Sequence, residues 1–269
     1  MSNRLGDKLG ELGSTYMTME KYQDIIENFF ENNFDEKFYC SQYSEEENEE
    51  LAEDVLKLLD AKKESHILDW CGGWGRISIY FARKGYKVTI LDRMQERLLR
   101  AKEMFKLEHL PLTTICSDCR NTPDTIDADY ATCLFCSVGF FDDDEQIKAF
   151  RSVYNSLKKG GKFILDCLNL FFLVNKKFED TKMKRRDGKT NIQRNEFDFS
   201  NNILHSYYKI VNEKWKAEEE CEFFQKLYTP ADIVRLLSAS GFKIENIYGN
   251  YKGEPISFIS TQIVVVGRK

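Results

Sequence analysis

The chain has 269 residues, of which 42% are hydrophobic and 31% are charged, and its formal net charge at pH 7 is −5. This length is sufficient for one large α/β domain or for a domain that carries an insertion, and the composition is that of an ordinary soluble globular protein. The acidic balance argues against a nucleic-acid partner, because nucleic-acid-binding proteins normally present a basic face.

The N-terminal sequence MSNRLGDKLGELG contains no apolar segment of the kind found in signal peptides. The longest apolar run in the chain has about ten residues, too few to cross a bilayer, so we expect no membrane partner. We therefore predict a cytoplasmic protein whose eight cysteines are free thiols.

Helices are predicted in the first 60 residues, notably over Tyr22–Phe30 and Glu49–Leu59, where apolar residues recur every three or four positions. From about Ser65 onward, short apolar strands alternate with helices, which is the pattern of parallel βαβ units. The five strands of this part are HILDW, YKVTILD, LTTIC, DYATCLFC and KFILDCLN.

After Asn169, the segments NILHSYYKIV and CEFFQKLY follow each other without a helix between them, which predicts an inserted antiparallel β ribbon. A helix capped by Thr229 and the strands FKIENIYG and TQIVVVG complete the chain. We thus predict an α/β fold with a doubly wound, seven-stranded, mostly parallel sheet and an inserted antiparallel ribbon. Its four regions are residues 1–60, N-terminal helices that cover the active site; 61–170, a cofactor-binding core; 171–227, a substrate-binding ribbon; and 228–269, the last helix and two strands of the core.

The stretch DWCGGWGR, residues 69–76, is a glycine-rich loop directly after the first predicted strand. A dinucleotide-binding loop has the pattern G-x-G-x-x-G, but when the pattern is read from Gly73 its third glycine is replaced by Ser78. The glycines alone therefore do not identify the nucleotide that the loop binds.

Acidic residues end the first three predicted strands, namely Asp69, Asp92 and Asp118. This is the edge at which open α/β sheets bind ligands. We expect Asp92 to accept hydrogen bonds from ribose hydroxyls and Asp118 to reach an adenine amino group. Such a set fits an adenosyl cofactor that carries no phosphate, S-adenosylmethionine.

The run ILDWCGGWGRISIYFARKGYKVTILDR resembles motif I, D/E-x-G-x-G-x-G, and the following strand of class I S-adenosylmethionine-dependent methyltransferases, with Cys71 in place of the first glycine. CSDCRN resembles the strand-three motif of this family. LYTPADIVRLLSASGFKIENIYGNYKGEPIS resembles the C-terminal segment of a bacterial subgroup that methylates small molecules. We expect Cys71 to keep φ below zero, because a small residue is then tolerated there.

The resemblance implies the cofactor S-adenosyl-L-methionine, the product S-adenosyl-L-homocysteine and no metal. It also implies methyl transfer by in-line displacement to a small-molecule acceptor, with N-methylation slightly preferred over O-methylation. A non-catalytic S-adenosylmethionine-binding sensor or complex subunit and an NAD-dependent dehydrogenase are the alternatives. The residues expected to bind the cofactor are Asp69, Cys71, Gly73, Gly75, Asp92, Arg93, Asp118, Cys119 and Cys136.

Candidates for catalysis and substrate binding come from strand ends and from the insertion. His205 is the only plausible base among three histidines, and Ser137 and Asn169 follow strands four and five. Each candidate also fits an ordinary structural or surface role, and that alternative stays open. The residues expected to contact the substrate are Arg194, Tyr207, Trp215 and Tyr228.

Four cysteines have the spacing C-x2-C-x13-C-x2-C, close to that of a zinc ribbon: Cys116, Cys119, Cys133 and Cys136. We predict no metal site, because Cys133 and Cys136 on one strand would point to opposite faces. Cys136 could also be the nucleophile of an RNA-cytosine methyltransferase, but Phe135 stands where those enzymes have proline. The acidic chain disfavours RNA as well.

Overall fold

The computed structural model describes residues 18–39, 43–176, 180–185 and 187–269. Its main sheet has seven strands in the order β10-β11-β5-β4-β1-β2-β3. All of the core strands up to β5 run parallel, whereas β11 is antiparallel to both β5 and β10. The strands are β1 His66–Trp70, β2 Lys87–Asp92, β3 Thr113–Cys116, β4 Ala128–Cys133, β5 Leu157–Leu168, β10 Lys243–Tyr248 and β11 Gln262–Arg268.

Helices cover both faces of this sheet, as the alternation of strands and helices predicts. One face packs on a cluster that includes Val55, Phe81 and Phe105, and the other on a cluster that includes Phe150 and Leu236. The helices are α1 Gln23–Glu31, α2 Phe34–Phe38, α3 Glu45–Leu59, α4 Ser78–Arg83, α5 Gln95–Leu107, α6 Asp143–Ser156, α7 Leu170–Asn175 and α8 Pro230–Ala239.

Local sequence explains where two of these helices begin. Ser44 caps α3 by accepting from the Glu47 N–H, and the Glu47 side chain accepts in return from the Ser44 N–H. Thr229 and Asp232 form the same reciprocal cap at α8, with Pro230 at its first position. The predicted cap of the last helix is therefore confirmed.

The insertion forms a separate antiparallel sheet of four strands in the order β6-β7-β8-β9. These are β6 Thr181–Lys184, β7 Thr190–Asp198, β8 Ile203–Val211 and β9 Ala217–Lys226. One face of this sheet packs against α1 and α2 in a shared aromatic core, which contains Phe29, Phe34, Phe38, Tyr208 and Phe223. The N-terminal helices and the insertion thus form one layer beside the main sheet. The part of the predicted N-terminal region before residue 18 lies outside the described residues.

Two boundaries differ from the prediction. β5 begins at Leu157, five residues before the predicted strand KFILDCLN, because Leu157 pairs with Ala128 of β4 and is buried there. β4 ends at Cys133, so Cys136 lies in the following loop and not on the strand. Within the described residues, no helix combines the length and the apolar character needed to cross a membrane.

Candidate functional site

The glycine loop, residues 69–76, leaves β1 in a left-handed turn. Cys71, Gly73 and Gly75 have positive φ angles of 63°, 57° and 76°. This turn allows the N–H of the residue after Cys71 to donate to a carbonyl of β2 at 3.2 Å. The expectation that Cys71 keeps φ below zero is therefore wrong, because the first position of the motif needs the left-handed conformation in which a cysteine is strained.

Asp69 lies beneath the loop and is only 4% exposed. Its carboxylate accepts hydrogen bonds from the Ser78 hydroxyl at 2.6 Å and from the Thr132 hydroxyl at 2.9 Å. A Cβ on Gly72 would lie 2.5 Å from Asp69 Oδ2, so the loop rests directly on this side chain. Burial raises the pKa of Asp69 to about 6. Asp69 thus supports the glycine loop while its own carboxylate is held by the Ser78 and Thr132 hydroxyls.

Asp92, at the end of β2, holds the loop from the other side. Its Oδ2 accepts from the Gly73 N–H and its Oδ1 from the Met94 N–H, each at 2.9 Å. Burial raises the pKa of this carboxyl. Because a carboxylate can accept about four hydrogen bonds, roughly two remain available at Asp92. The pair of hydroxyls of a ribose matches this remaining capacity.

Asp118 lies at the same edge of the sheet, after β3, and is held by Arg120. The guanidinium donates from Nε to Oδ1 at 3.0 Å and from Nη2 to Oδ2 at 2.7 Å. These bonds lower the pKa of Asp118. Cys119, the next residue, packs with Cys71 in the apolar cluster on one face of the sheet. Arg93, after β2, pairs with Glu27 of α1 at 2.7 Å.

The loop after β4 contains two consecutive residues in the left-handed region, Phe135 with φ of 64° and Cys136 with φ of 60°. Both of their backbone N–H groups donate to Asp166 of β5, which is fully buried. Asp166 also accepts from the Tyr251 hydroxyl at 2.6 Å and from the Cys136 thiol at 3.2 Å. Asp166 is not among the site residues predicted from the sequence. The signal was present, since Asp166 is an acid near the end of the predicted strand KFILDCLN, as Asp69 is in strand one.

Cys136 lies near a pair of tyrosines that comes from distant parts of the chain. The hydroxyl of Tyr39, after α2, is 2.7 Å from that of Tyr208 in β8. Burial, together with the nearby Asp166 carboxylate, raises the pKa of the Cys136 thiol well above its usual range. The thiol therefore keeps its proton, which is the opposite of what a cysteine nucleophile needs.

Two of the four cysteines with zinc-like spacing, Cys116 and Cys136, bind different partners. The Cys116 thiol donates to the Arg93 carbonyl at the exposed end of β3, and the Cys136 thiol donates to Asp166. In the ranges that the structure describes, no group of three or more histidine, cysteine or acidic side chains is arranged to hold a metal ion.

The predicted base His205 lies in β8 on the face opposite Tyr208, since the two are three positions apart on one strand. Its ring stacks on Phe224 at 3.9 Å between centroids, and its Nε2 is 3.1 Å from the Glu222 carboxylate. Desolvation lowers the pKa of His205. The structure therefore does not bring His205 to the tyrosine pair above Cys136.

The predicted substrate contacts of the insertion lie on that same outer face or at a turn. Tyr207 packs against His205 with 4.0 Å between ring centroids, and Arg194 pairs with Glu196 at 3.0 Å. Trp215 lies in the turn between β8 and β9 and is 63% exposed. These side chains are separate from the glycine loop.

The three remaining candidates are close to strand ends of the main sheet. Asn169 is fully buried, and its amide donates to the carbonyls of Ser257 and Ser260 at 3.0 and 2.8 Å, so it holds that loop in place. Tyr228 is 3% exposed, and its hydroxyl has no hydrogen-bond partner among the described residues. Ser137 lies in the loop after β4, next to Cys136.

Arg97 fastens the segment α1–α2 beside the glycine loop. Arg97 of α5 donates to both carboxylate oxygens of Asp35, at 2.6 and 2.9 Å, and to the Phe30 carbonyl at 3.0 Å. The same arginine lies beside the glycine loop, since a Cβ on Gly73 would be 3.8 Å from it. The N-terminal helices are thus anchored next to the loop and to Asp92.

Comparison with known proteins identifies part of this arrangement. Residues 67–161, from β1 to the first half of β5, match a family model described as "Methyltransferase domain". A search of curated protein sequences found no match.

Solved structures similar to this chain cover most of its length. An S-adenosylmethionine-dependent methyltransferase from Clostridium acetobutylicum has a TM-score of 0.72 at 20% identity, over 90% of this chain and 98% of its own. CalS10, an amino pentose methyltransferase from Micromonospora echinaspora, has a TM-score of 0.63 at 17% identity, over 87% and 96%. The sugar N-methyltransferase KedS8 from Streptoalloteichus has a TM-score of 0.60 at 15% identity, over 91% and 93%. At such identities the similarity establishes the fold alone, a seven-stranded sheet with helices on both faces.

Proposed function

We propose that this chain is a class I S-adenosylmethionine-dependent methyltransferase and that it methylates a small-molecule acceptor, an amine in preference to a hydroxyl. The match of residues 67–161 to a methyltransferase domain supports the proposal. When bound, the cofactor supplies an activated methyl group on its sulfonium. The protein has to bind the cofactor and the acceptor, orient them for an in-line displacement and exclude water.

The observation that carries the proposal is the geometry of Asp92. Its carboxylate fixes the Gly73 and Met94 N–H groups and keeps about half of its acceptor capacity for other donors. Asp92 lies between the glycine loop and the segment α1–α2, which Arg97 anchors there. An adenosyl group whose ribose hydroxyls bind Asp92 would thus lie across the glycine loop.

The acceptor would bind beside the loop after β4. Cys136 in this loop and the Tyr39–Tyr208 pair are contributed by the main sheet, the N-terminal helices and the inserted sheet. We infer that this boundary between three regions forms the substrate pocket, with the N-terminal helices covering it. A pocket that several elements enclose favours a small acceptor over a macromolecule.

The preference for an amine rests on two supports. Two of the similar structures are described as an amino pentose methyltransferase and a sugar N-methyltransferase. Aromatic rings such as those of Tyr39 and Tyr208 also favour a cationic group near them, and the amine becomes cationic as it is methylated. An acceptor for the amine proton has to be near the pocket, and His205 does not face the tyrosine pair.

The test is a direct assay of methyl transfer. The purified chain is incubated with S-adenosylmethionine and a panel of amino sugars and other small amines, each with its hydroxyl counterpart, and release of S-adenosylhomocysteine is measured. We expect turnover with at least one amine and slower turnover with its hydroxyl counterpart. The variant Asp92→Ala, checked for folding by circular dichroism, serves as the cofactor-binding control.

Calorimetry decides between cofactors in the same preparation. Preference for NAD over S-adenosylhomocysteine would contradict the proposed function. Binding of S-adenosylhomocysteine without turnover of any amine or hydroxyl compound would instead favour a sensor or a complex subunit.

A further inference from the structure

Three thiols contact one another where the glycine loop meets two neighbouring segments. The Cys71 thiol is in hydrogen-bonding contact with the thiols of Cys119 and Cys133. All three side chains pack in the same apolar cluster, and the Cys133 thiol also donates to the Ser137 carbonyl at 3.8 Å. This row of thiols therefore joins the glycine loop to the segment after β3 and to the end of β4.

Two of the three thiols have the freedom that a new covalent bond requires. Cys133 is the last residue of β4 and is fully buried, whereas Cys71 and Cys119 keep part of their surface exposed. Cys71 lies in the glycine loop, and Cys119 begins the single turn Cys119–Asn121 after β3. Because neither residue is paired in a sheet, their backbones can adjust to the bond of about 2.05 Å that joins two sulfur atoms in a disulfide.

The two accessible thiols lie beside the proposed cofactor site. Cys71 is two residues before Gly73, whose N–H donates to Asp92 at 2.9 Å. Cys119 directly follows Asp118, which lies at the same edge of the sheet. A disulfide would draw the two sulfur atoms much closer than a hydrogen bond does. It would thus shift the glycine loop from the position in which Gly73 binds Asp92.

We propose that Cys71 and Cys119 form a redox-modification site, at which a peroxide oxidises the two thiols to a disulfide that weakens binding of the adenosyl cofactor. Disulfides of this kind in reducing compartments are transient and act as sensors. The effect on the cofactor rests on the proposed function, because it assumes an adenosyl ligand at Asp92. Formation of the disulfide does not depend on that assumption.

The chemistry needs no group other than hydrogen peroxide. The thiolate sulfur of one cysteine attacks a peroxide oxygen, the O–O bond breaks, and a sulfenic acid and hydroxide form. The hydroxide becomes water by taking up the proton that the thiol lost. The second sulfur then forms the S–S bond and displaces the sulfenic oxygen, which also leaves as water. Two thiols thus lose two electrons and two protons, and one peroxide becomes two waters.

The setting of the pair determines how fast it reacts. The hydrogen bond to Cys71, together with burial, raises the pKa of the Cys119 thiol well above its usual range. Since the thiolate is the nucleophile, the disulfide forms slowly at neutral pH. We expect its rate of formation to rise about tenfold from pH 7 to pH 8, in step with the thiolate fraction.

The experiment follows the disulfide and the cofactor affinity in the same samples. The full chain is reduced, freed of reductant and incubated with hydrogen peroxide, and peptides are mapped by mass spectrometry without reduction. Calorimetric titrations with S-adenosylhomocysteine are made before oxidation, after it and after reduction by a dithiol reagent. Cys119→Ser and Cys71→Gly each remove one partner, and glycine suits the positive φ of position 71. The matched control is Cys116→Ser, which removes an exposed thiol three positions from Cys119.

We expect a disulfide between Cys71 and Cys119 in wild type and in Cys116→Ser. Its formation should weaken S-adenosylhomocysteine about tenfold or more, which corresponds to at least about 1.4 kcal/mol, and reduction should restore the affinity. In Cys119→Ser and Cys71→Gly, the same treatment should change the affinity by less than about twofold. Each variant is compared with itself before oxidation, so an altered starting affinity does not affect the result.

Three results would overturn the site. One is a peptide map without this disulfide, including a map in which Cys71 is linked to Cys133. Another is a disulfide that leaves the affinity within about twofold of the reduced protein. The third is an equal loss of affinity on oxidation of Cys119→Ser, since another thiol would then be responsible. Reduced wild type that does not bind S-adenosylhomocysteine overturns the proposed function instead, and the peptide map distinguishes the two failures.

Discussion

Asp69 shows how one buried carboxylate can support a ligand loop at a cost to stability. Its oxygens are bonded to two hydroxyls, Ser78 and Thr132, and among the described residues no cation is bonded to them. Burial raises its pKa to about 6, whereas an unfolded aspartate titrates near 3.9. The native state therefore holds a proton on Asp69 over a range of pH in which the unfolded chain has lost it.

The sign of the resulting pH dependence follows from proton linkage. As the pH rises from about 4 through 6, the native protein loses the stability that comes from the protonated Asp69. Asp69→Asn removes this titration. We expect the variant to gain about 1–3 kcal/mol of unfolding free energy relative to wild type as the pH rises from 4 to 7.

Urea denaturation at a series of pH values checks this expectation. Asp118→Asn is the opposite control. Arg120 lowers the pKa of Asp118, so the stability that the ionised Asp118 contributes to the native state is lost as the pH falls. A difference between Asp69→Asn and wild type that is the same at every pH would contradict the assignment.

Cys71 offers a second residue-scale prediction, since it adopts a left-handed conformation that favours glycine. Cys71→Gly and Cys71→Ala both remove the thiol, so their comparison isolates the backbone. We expect the glycine variant to be more stable than the alanine variant by about 1 kcal/mol. Chemical denaturation measures the difference, and an alanine variant as stable as the glycine one would show that position 71 is unstrained.

The residues at the edge of the sheet where the cofactor is proposed to bind could be predicted from the sequence to different degrees. Asp69, Asp92 and Asp118 follow from their positions at strand ends, and the structure brings Asp92 and Asp118 to one edge. The backbone conformation of Cys71 could not be read from its identity, because a small side chain fits either sign of φ. Asp166 could have been recognised by the same strand-end pattern. Its hydrogen bonds to Phe135 and Cys136 could not, because these two residues form a left-handed turn that contains no glycine.

At the scale of elements, a row of ion pairs joins α5 and Arg93, two residues before its start, to the N-terminal helices. Arg97 and Arg100 are three positions apart in α5 and therefore lie on one side of that helix. The partners of the three arginines on α1 and α2 are Glu27, Asp35 and Glu36. The middle pair is the most buried, with 9% of the Arg97 side chain exposed against 52% for Arg100.

The burial of each ion pair determines how much it contributes to the unfolding free energy. Arg97→Ala leaves the partly buried Asp35 without its cation, and we expect a loss of about 2–4 kcal/mol of unfolding free energy. Arg100→Ala breaks an exposed pair, and we expect a loss below about 1 kcal/mol. Denaturation measures both, and limited proteolysis should cut within α1–α2 faster in Arg97→Ala only. Equal losses in the two variants would contradict this ranking.

The element pattern could be predicted where it depends on apolar periodicity. The alternation of strands and helices in the core is such a case, and the seven-stranded sheet is confirmed. The four-residue strand β6 could not be predicted, because all four of its residues are exposed and show no alternation. The insertion therefore has four strands where the sequence indicated a ribbon.

At the scale of the whole molecule, the cofactor should stabilise the folded chain by mass action. S-Adenosylhomocysteine at about 100 times its Kd is expected to add about 2.7 kcal/mol to the unfolding free energy, because it binds the native state only. For a chain of this size, this corresponds to a rise in Tm of roughly 5–10 °C. Thermal scans with and without ligand measure it, with NAD at the same concentration as the control. No rise would place the cofactor site in doubt.

The acceptor could not be predicted, because the proposed pocket for it is formed only by the whole fold. Tyr39 and Tyr208 are 169 positions apart in the chain, and their hydroxyls meet only when the N-terminal helices pack on the inserted sheet. No local spacing or motif records such a contact. His205 and Tyr207 were selected by residue type, and the pleat of β8 turns them to the other face.

The shared aromatic core affects the order in which parts of the chain fold during synthesis. Phe29 of α1 and Phe223 of β9 pack with 4.4 Å between ring centroids, although they are about 190 residues apart. At about 5–20 residues per second, a ribosome needs roughly 10–40 s to synthesise that interval. Until then α1 lacks its contact with β9. The first helix in the described part of the chain to emerge is thus among the last to be covered, and its exposed face would be available to chaperones throughout synthesis.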